Sequence, residues 1–196
     1  MKVLFVNACM RGKKSRTLEL CRDYLKKLQE AKSEAVIEEV DLATLDIEVQ
    51  DGEFIERRDG FLREENFSDS MFDLAKQLIA ADHVVIGAPY WDLSFPAKLK
   101  IYLERCSVDK LTFIYDENGI PHGQCKAESL MYITTAGGYI GDMNLGFDYV
   151  KGLCGTLFGI KKFYFAAADG IDIVGTDVMQ VLEETKTEFT EIVKEI

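Results

Sequence analysis

The hydrophobic positions along the chain alternate between short continuous runs and stretches with helical spacing. Continuous runs of apolar and β-branched residues predict buried strands, at residues 2–7, 35–40, 83–88, 129–135 and 162–168. Between these runs apolar residues recur every three or four positions, as at Leu18, Cys21, Leu25 and Leu28, which predicts amphipathic helices. Strands that alternate with helices predict an α/β fold, with a five-stranded parallel sheet covered by helices on both faces.

Several helix starts are also indicated by the sequence. Ser70 with Asp73 resembles a capping box, Pro96 suits the first turn of a further helix, and Thr176 is expected to cap the last one. Residues 41–67 are acidic and irregular, and we interpret them as a long surface excursion that contains a helical turn. Because no repeat or Pro-rich linker interrupts the pattern, residues 1–196 are expected to form a single domain.

Composition narrows the function classes. The formal net charge of −11 argues against nucleic-acid and anionic-membrane partners, since both reward a basic face. The longest run without a charged residue, 129–141, is shorter than the roughly 20 residues of a membrane-spanning helix. With only two histidines and no clustered cysteines, a metal site is not expected. The cysteines are odd in number and scattered, which favours reduced thiols in the cytoplasm: Cys9, Cys21, Cys106, Cys125 and Cys154.

The loop after the first strand carries a concentration of positive charge in an otherwise acidic chain. Four basic residues fall within six positions and lead into a helix N-terminus, where free amides and the helix dipole favour an anion: Arg11, Lys13, Lys14 and Arg16. Ser15 and Thr17 add hydroxyl donors. A phosphate group is the predicted ligand, although an ordinary solvated loop is the simpler alternative. The loop contains neither the nucleoside triphosphate motif nor the dinucleotide motif.

A phosphatase is a competing interpretation of this loop. Low-molecular-weight tyrosine phosphatases carry Cys-x5-Arg-[Ser/Thr] after the first strand of a similar fold. Here Cys9 and Arg16 are separated by six residues, and the extra residue disfavours convergence of thiolate and guanidinium on one phosphoryl group. Cys9 is therefore interpreted as a small residue packed at the strand end.

Two further loops at the same sheet edge suit a flat heteroaromatic ring. The loop 88–96 contains the only tryptophan, Trp91, together with two of the three prolines, so it offers a stiff planar apolar surface. After the fourth strand, Gly137 and Gly138 allow the backbone to approach a ligand closely. Because the carboxyl ends of parallel strands form the ligand edge of such sheets, the three loops together predict a phosphate site beside a ring platform.

These segments resemble the FMN-dependent NADH:quinone/azo-type oxidoreductases of the flavodoxin-like superfamily. The similarity runs in order through nearly the whole chain, and it implies a flavodoxin-like three-layer fold. The segments that carry it are Ser15-Arg16-Thr17, Ala88-Pro89-Tyr90-Trp91-Asp92-Leu93, Phe113-Ile114-Tyr115-Asp116-Glu117-Asn118-Gly119 and Ile133-Thr134-Thr135-Ala136-Gly137-Gly138.

The resemblance implies specific contacts with FMN. The phosphate would be held by Ser15, Arg16 and Thr17, with Cys9 nearby. The isoalloxazine would lie along Pro89, Tyr90, Trp91, Asp92 and Leu93, and its pyrimidine edge would meet Thr135, Gly137 and Gly138. Two departures stand out: Ala8 and Cys9 replace frequent serines, and Asp92 replaces a frequent asparagine, which puts a negative charge near an electron-rich ring.

The implied reaction is ping-pong hydride transfer from NADH or NADPH through the flavin to a quinone, azo compound or nitroaromatic, with no catalytic side chain. The family also implies a homodimer with a shared active site, with partner contributions around Tyr115 and residues 157–158. Tyr115, Tyr139 and Phe158 are expected to shape the acceptor pocket, with Trp91 and His122 as further candidates. Two alternatives stay open: an FMN electron carrier without a nicotinamide pocket, and a flavin-free phosphatase or regulatory domain.

Overall fold

A central parallel sheet organises the computed structural model, which describes residues 1–196. The strands are β1 (Lys2–Asn7), β2 (Val36–Asp41), β3 (His83–Gly87), β4 (Phe113–Tyr115), β5 (Pro121–Gly123), β6 (Ser129–Thr135) and β7 (Lys162–Ala168). Five of them pair in parallel in the order β2-β1-β3-β6-β7, and β4 and β5 form a separate antiparallel hairpin. The predicted five-stranded parallel sheet is confirmed; the strand predicted at 35–40 is shifted by one residue at both ends, and the strand predicted at 83–88 ends one residue earlier.

Six α-helices surround the sheet: α1 (Arg16–Ala31), α2 (Gly52–Arg63), α3 (Asp73–Ala80), α4 (Ala97–Cys106), α5 (Leu145–Thr156) and α6 (Val178–Ile192). One face is covered by α1 and α6, where the rings of Tyr24 and Phe189 meet edge to face at 5.4 Å. Buried residues of α3, α4 and α5 cover the other face. The predicted coverage of both faces is therefore confirmed. None of the six helices combines the length and apolar character that a bilayer crossing requires.

The acidic segment 41–67 contains more structure than the sequence indicated. Where a helical turn was expected, α2 runs for 12 residues and is capped by Asp51, whose carboxylate accepts a hydrogen bond from Phe54 N at 2.8 Å. Phe54 and Phe61 pack against a small separate cluster that contains Met71 and Phe72. The helix was missed because its apolar side chains contact this minor cluster, and none of its residues is fully buried.

Two helix caps differ from the prediction by one residue. Asp69 rather than Ser70 accepts the hydrogen bond of Met71 N, at 2.9 Å, and opens a 3₁₀ turn that precedes α3. Asp177 rather than Thr176 caps α6. In both places a carboxylate adjacent to the expected hydroxyl takes the cap, because its charge also interacts favourably with the helix dipole.

The strand order indicates where along the sheet a ligand is expected to bind. The chain proceeds outward from β1 to β2, then returns to β3 on the other side of β1, so the order reverses between β1 and β3. In open parallel sheets the crevice beyond the carboxyl ends of the strands at such a reversal receives the ligand.

Candidate active site

A cavity of about 460 Å³ opens at the carboxyl edge of the sheet. Its walls come from the loops after β1, β3, β6 and β7 and from the first turn of α1. The lining residues are Arg11, Lys14, Ser15, Arg16, Thr17, Pro89, Tyr90, Trp91, Thr135, Gly137, Ile171 and Asp172. The structure thus brings eight predicted cofactor residues together around one space: Ser15, Arg16, Thr17, Pro89, Tyr90, Trp91, Thr135 and Gly137.

The N-terminus of α1 supplies unpaired hydrogen-bond donors to this cavity. Ser15 is the cap, and its hydroxyl accepts a hydrogen bond from Leu18 N at 3.2 Å. The backbone amides of Arg16 and Thr17 donate to no acceptor within the chain. Two free amides at the positive end of a 16-residue helix form a ready anion site.

Beneath the cavity the first turn of α1 is joined to the end of β6. The hydroxyls of Thr17 and Thr135 lie 2.7 Å apart, and both residues are buried. Because Thr17 belongs to the anion site and Thr135 belongs to the predicted ring edge, this bond fixes the two halves of the cavity relative to each other.

The loop after β3 forms one wall and is tightly folded. Trp91 N donates to Ser94 O at 3.1 Å and Ser94 N donates to Trp91 O at 2.8 Å, so the two residues close a two-residue turn. Asp92 and Leu93 occupy the turn with φ of 51° and 64°, the left-handed region that side chains other than Gly adopt at a cost. The Tyr90 hydroxyl donates to Met143 O at 2.7 Å and ties this wall to the loop after β6.

Another wall holds an ion pair between the first residue of α1 and the loop after β7. Arg16 Nη1 donates to Asp172 Oδ1 at 3.0 Å, and both side chains are exposed. Asp172 also lies against Gly137: a Cβ atom on Gly137 would come within 2.6 Å of Asp172 Oδ2. Gly137 therefore accommodates the carboxylate of the chain itself, a reason for its small size that differs from the predicted approach of a ligand.

Four predicted cofactor residues do not line the cavity. Asp92 and Leu93 sit at the tip of the turn beyond Trp91. Gly138 faces open space, and its carbonyl accepts a hydrogen bond from Gly170 N at 3.0 Å. Cys9 is fully buried below the loop, with its thiol donating to Gly87 O at 3.6 Å.

The environment of Cys9 is that of a core thiol pair. A hydrogen bond from the Cys21 thiol lowers the pKa of Cys9, whereas burial raises the pKa of Cys21. Since the Cys9 thiol is buried and lies outside the cavity lining, it is not placed to attack a phosphoryl group at the free amides of α1.

The three residues expected to shape an acceptor pocket lie apart from one another. Phe158, which the family resemblance implies at the shared pocket, is fully buried in the main core of this chain. Tyr115 lines a separate depression with Glu65 and Lys110, beside the hairpin of β4 and β5. Tyr139 is 75% exposed, and its ring lies against Gly170.

The two histidines lie outside the cavity. His83 is buried between the Tyr24 hydroxyl, 3.0 Å from Nε2, and the Ser129 hydroxyl, 2.8 Å from Nδ1, and burial lowers its pKa to about 4. His122 is exposed on β5, with its Nε2 atom 3.2 Å from Asp116 Oδ2.

Four lining residues were absent from the predicted site: Arg11, Lys14, Ile171 and Asp172. Arg11 and Lys14 belong to the basic run that indicated a phosphate, so the sequence signal for them was present. Ile171 and Asp172 follow β7, and no local motif distinguishes them from an ordinary polar loop.

Comparison with known proteins gives matches along nearly the whole chain. A family model described as a flavodoxin-like fold matches residues 1–193. The chain is 31% identical over 186 residues to an FMN-dependent NADH:quinone oxidoreductase of Clostridium perfringens, with 93% of each chain covered. It is 29% identical over 201 residues to a protein of the same description from Clostridium beijerinckii, with 98% of each covered.

Solved structures agree on the fold. An azoreductase from Bacillus anthracis superposes with a TM-score of 0.86 at 20% identity, with 100% of both chains covered. An FMN-dependent NADH-azoreductase from Bacillus anthracis, solved in complex with FMN, gives a TM-score of 0.84 at 21% identity, over 99% of this chain and 98% of the other.

Proposed function

Because this chain belongs to the flavodoxin-like fold family, we propose that it is an FMN-dependent NAD(P)H oxidoreductase that reduces quinones, azo compounds or nitroaromatics. The resemblance seen in the sequence is confirmed by the relatives, which are described as FMN-dependent NADH:quinone oxidoreductases. The observation that carries the proposal is the cavity itself, which combines free helix amides, three cationic side chains and an aromatic loop.

The residues present fit a flavin mononucleotide. A volume of about 460 Å³ lies within the range of about 300–1,000 Å³ that is typical of small-molecule sites. The amides of Arg16 and Thr17 have no acceptor in the chain, so a phosphate would satisfy them. Pro89 and Trp91 offer apolar surface on the adjoining wall, which suits a ring system.

Each part of the site then has a distinct binding role. Ser15, Arg16 and Thr17 would hold the phosphate, with Arg11 and Lys14 adding positive charge. The segment 89–91 would orient the ring, and Thr135 and Gly137 would meet its edge.

The other predicted cofactor residues lie near the cavity but outside its lining, and each would have an indirect role. Asp92 and Leu93, at the tip of the turn that carries Trp91, would extend the ring wall toward the acceptor side. Gly138 would leave space beside the ring edge, and Cys9 would support the phosphate loop from below.

When bound, FMN supplies the redox chemistry by accepting a hydride from NAD(P)H and passing electrons to the acceptor. The chain binds and orients the cofactor and excludes water from it. No side chain in the cavity lining is a histidine or cysteine placed for nucleophilic attack. A pure electron carrier is not favoured, because the relatives matched over most of their length are described as oxidoreductases.

A second copy of the chain would complete the acceptor pocket. Exposed apolar side chains occur in two places that a partner would cover, the loops beside the cavity and the hairpin of β4 and β5: Trp91, Leu93, Tyr139, Met143 and Leu145, and Ile114, Tyr115 and Ile120. In such a homodimer Tyr115 and Tyr139 would reach the shared site from the surface, whereas Phe158 would support it from the core. Size-exclusion chromatography with light scattering tests this arrangement.

We place the protein in the cytoplasm, as a single flavin-binding domain without nucleic-acid or membrane partners. The five cysteines form no disulfide, and four of them are buried in the core, which suits a reducing compartment.

The decisive experiment uses the purified protein without oxygen. A yellow protein whose visible absorption bleaches on addition of NADH or NADPH, and recovers on addition of a quinone, supports the oxidoreductase. A yellow protein that neither nucleotide reduces would instead indicate a carrier. A colourless protein that takes up no added FMN would refute both.

A further inference from the structure

Asp172 is the only acidic side chain among the residues that line the cavity. Its neighbours there include three cations, Arg11, Lys14 and Arg16. A carboxylate in a phosphate site is unfavourable for binding, since like charges repel each other. A structural reason is therefore needed for the position of Asp172 in the cavity lining.

Three features of the structure hold the Asp172 carboxylate in this position. Asp172 N donates to Gly137 O at 2.9 Å, which fixes the backbone of the loop after β7. Arg16 Nη1 donates to Oδ1 at 3.0 Å. The absence of a Cβ atom on Gly137 leaves the space that Oδ2 occupies. The carboxylate is thus held at the wall, although it is 70% exposed to solvent.

Arg16 connects this carboxylate to the anion site. Its own backbone amide is one of the two free donors at the N-terminus of α1, and its guanidinium carries the ion pair with Asp172. A phosphate bound at the free amides would therefore share the positive charge of Arg16 with Asp172.

We propose that Asp172 is a specificity-determining residue, which weakens the binding of every phosphate group at the α1 N-terminus and thereby narrows the preference of the cavity for a phosphorylated flavin over its unphosphorylated form. This inference rests on the proposed function for the identity of the favoured ligand. Three unopposed cations and two free amides would hold inorganic phosphate as well as a flavin phosphate. The carboxylate lowers the affinity for both, whereas the affinity for a flavin without a phosphate group is unaffected, so the discrimination between the two flavins falls.

The Asp172→Asn variant tests the effect of the negative charge separately from the shape of the side chain. Asparagine keeps the shape of the side chain and an oxygen that accepts the Arg16 hydrogen bond, so the loop geometry is retained. We expect the apoprotein of this variant to bind FMN about threefold to tenfold more tightly, because water screens part of the repulsion. Riboflavin, which carries no phosphate, should bind with unchanged affinity. Quenching of flavin fluorescence measures both affinities.

Titration with inorganic phosphate gives a second test, which does not depend on flavin binding. Isothermal titration calorimetry of the apoprotein with phosphate should show tighter binding to Asp172→Asn than to the wild-type chain, and the gain should shrink at high salt. Failure of the wild-type chain to bind any flavin would refute the proposed function, and the phosphate titration would still decide the role of Asp172.

Glu183→Gln is the matched control. Glu183 is an exposed carboxylate that accepts a hydrogen bond from Lys186 at 2.7 Å and lies outside the cavity, so this variant removes an equal charge from an ordinary surface ion pair. It should leave the FMN affinity unchanged. The inference is overturned if Asp172→Asn binds FMN or phosphate no more tightly than the wild type, or if riboflavin affinity changes in parallel. If Asp172→Asn does not fold, Asp172→Ser carries the same test.

Discussion

The hydroxyl of Thr17 lies 2.7 Å from the hydroxyl of Thr135, in the buried layer directly beneath the cavity. The first turn of α1 and the end of β6 are thereby held together by a bond between two side chains. The bond has energetic consequences because both residues are buried.

Replacing one threonine with valine keeps the side-chain shape and leaves the other hydroxyl without its partner. We expect Thr17→Val or Thr135→Val alone to lower the free energy of unfolding of the apoprotein by about 1–3 kcal/mol. The double variant should cost less than the sum of the two single variants, because no hydroxyl remains unpaired. Urea unfolding followed by circular dichroism measures all four proteins, and strictly additive costs would show that the bond contributes nothing.

The two adjacent glycines after β6 are expected to respond differently to alanine. In Gly137→Ala the new methyl group would lie 2.6 Å from Asp172 Oδ2, so the exposed carboxylate must move and loosen its ion pair with Arg16, at a cost of up to about 1 kcal/mol in unfolding free energy. Gly138→Ala is the control, since nothing lies within 4 Å of its added Cβ atom. Thermal unfolding of the two variants compares them directly; equal melting temperatures would contradict the contact with Asp172.

The turn at the tip of the aromatic wall is expected to be strained. Leu93 has a φ of 64°, and the left-handed conformation costs a residue with a Cβ atom about 1–2 kcal/mol. We expect Leu93→Gly to raise the free energy of unfolding by about 0.5–1 kcal/mol, because the greater backbone entropy of glycine in the unfolded chain offsets part of the relieved strain. Asp92→Gly should gain less, because aspartate tolerates this conformation better than leucine. A destabilised Leu93→Gly variant in urea unfolding would show that the leucine contacts outweigh the strain.

Stability should fall in mild acid because of His83. Burial lowers its pKa from 6.5 to about 4, so between these values the unfolded chain binds a proton that the folded chain does not. Above pH 6.5 His83 is neutral in both states and does not reduce stability. As the pH falls toward 4, the free energy of unfolding falls by up to about 3 kcal/mol. Unfolding free energies measured across this range should show the slope, and His83→Gln should flatten it. An unchanged slope in that variant would assign the acid sensitivity to other groups.

The three central strands β1, β3 and β6 were predictable from sequence because they are buried on both faces. The strands 129–135 and 162–168 were predicted at their exact ends, since a continuous apolar run leaves few alternative boundaries. The helix α2 was not predicted, because its apolar side chains face a minor cluster and its polar surface dominates the pattern. The caps were displaced by one residue where hydroxyl and carboxylate neighbours compete for the same amides.

Residues of the candidate site were predictable from sequence where a single loop contains the pattern that indicates them. The basic run before α1 and the aromatic loop after β3 could each be recognised within a few residues of sequence. Asp172 could not, because its significance comes from Arg16 and Gly137, which are distant in the chain and adjacent only in the folded structure. Phe158 differs again: the family resemblance implies a place at the acceptor pocket, and in this chain its side chain is fully buried in the core.

The only tryptophan of the chain, Trp91, stands in the wall of the cavity and is 41% exposed. Its indole emission therefore comes from a single place in the molecule, and that place is the site. A chromophore that docks there would accept its excitation energy, so occupancy, exchange and release can be followed in real time without a label. The same signal would separate events at the cavity from unfolding elsewhere, because no second indole contributes a background.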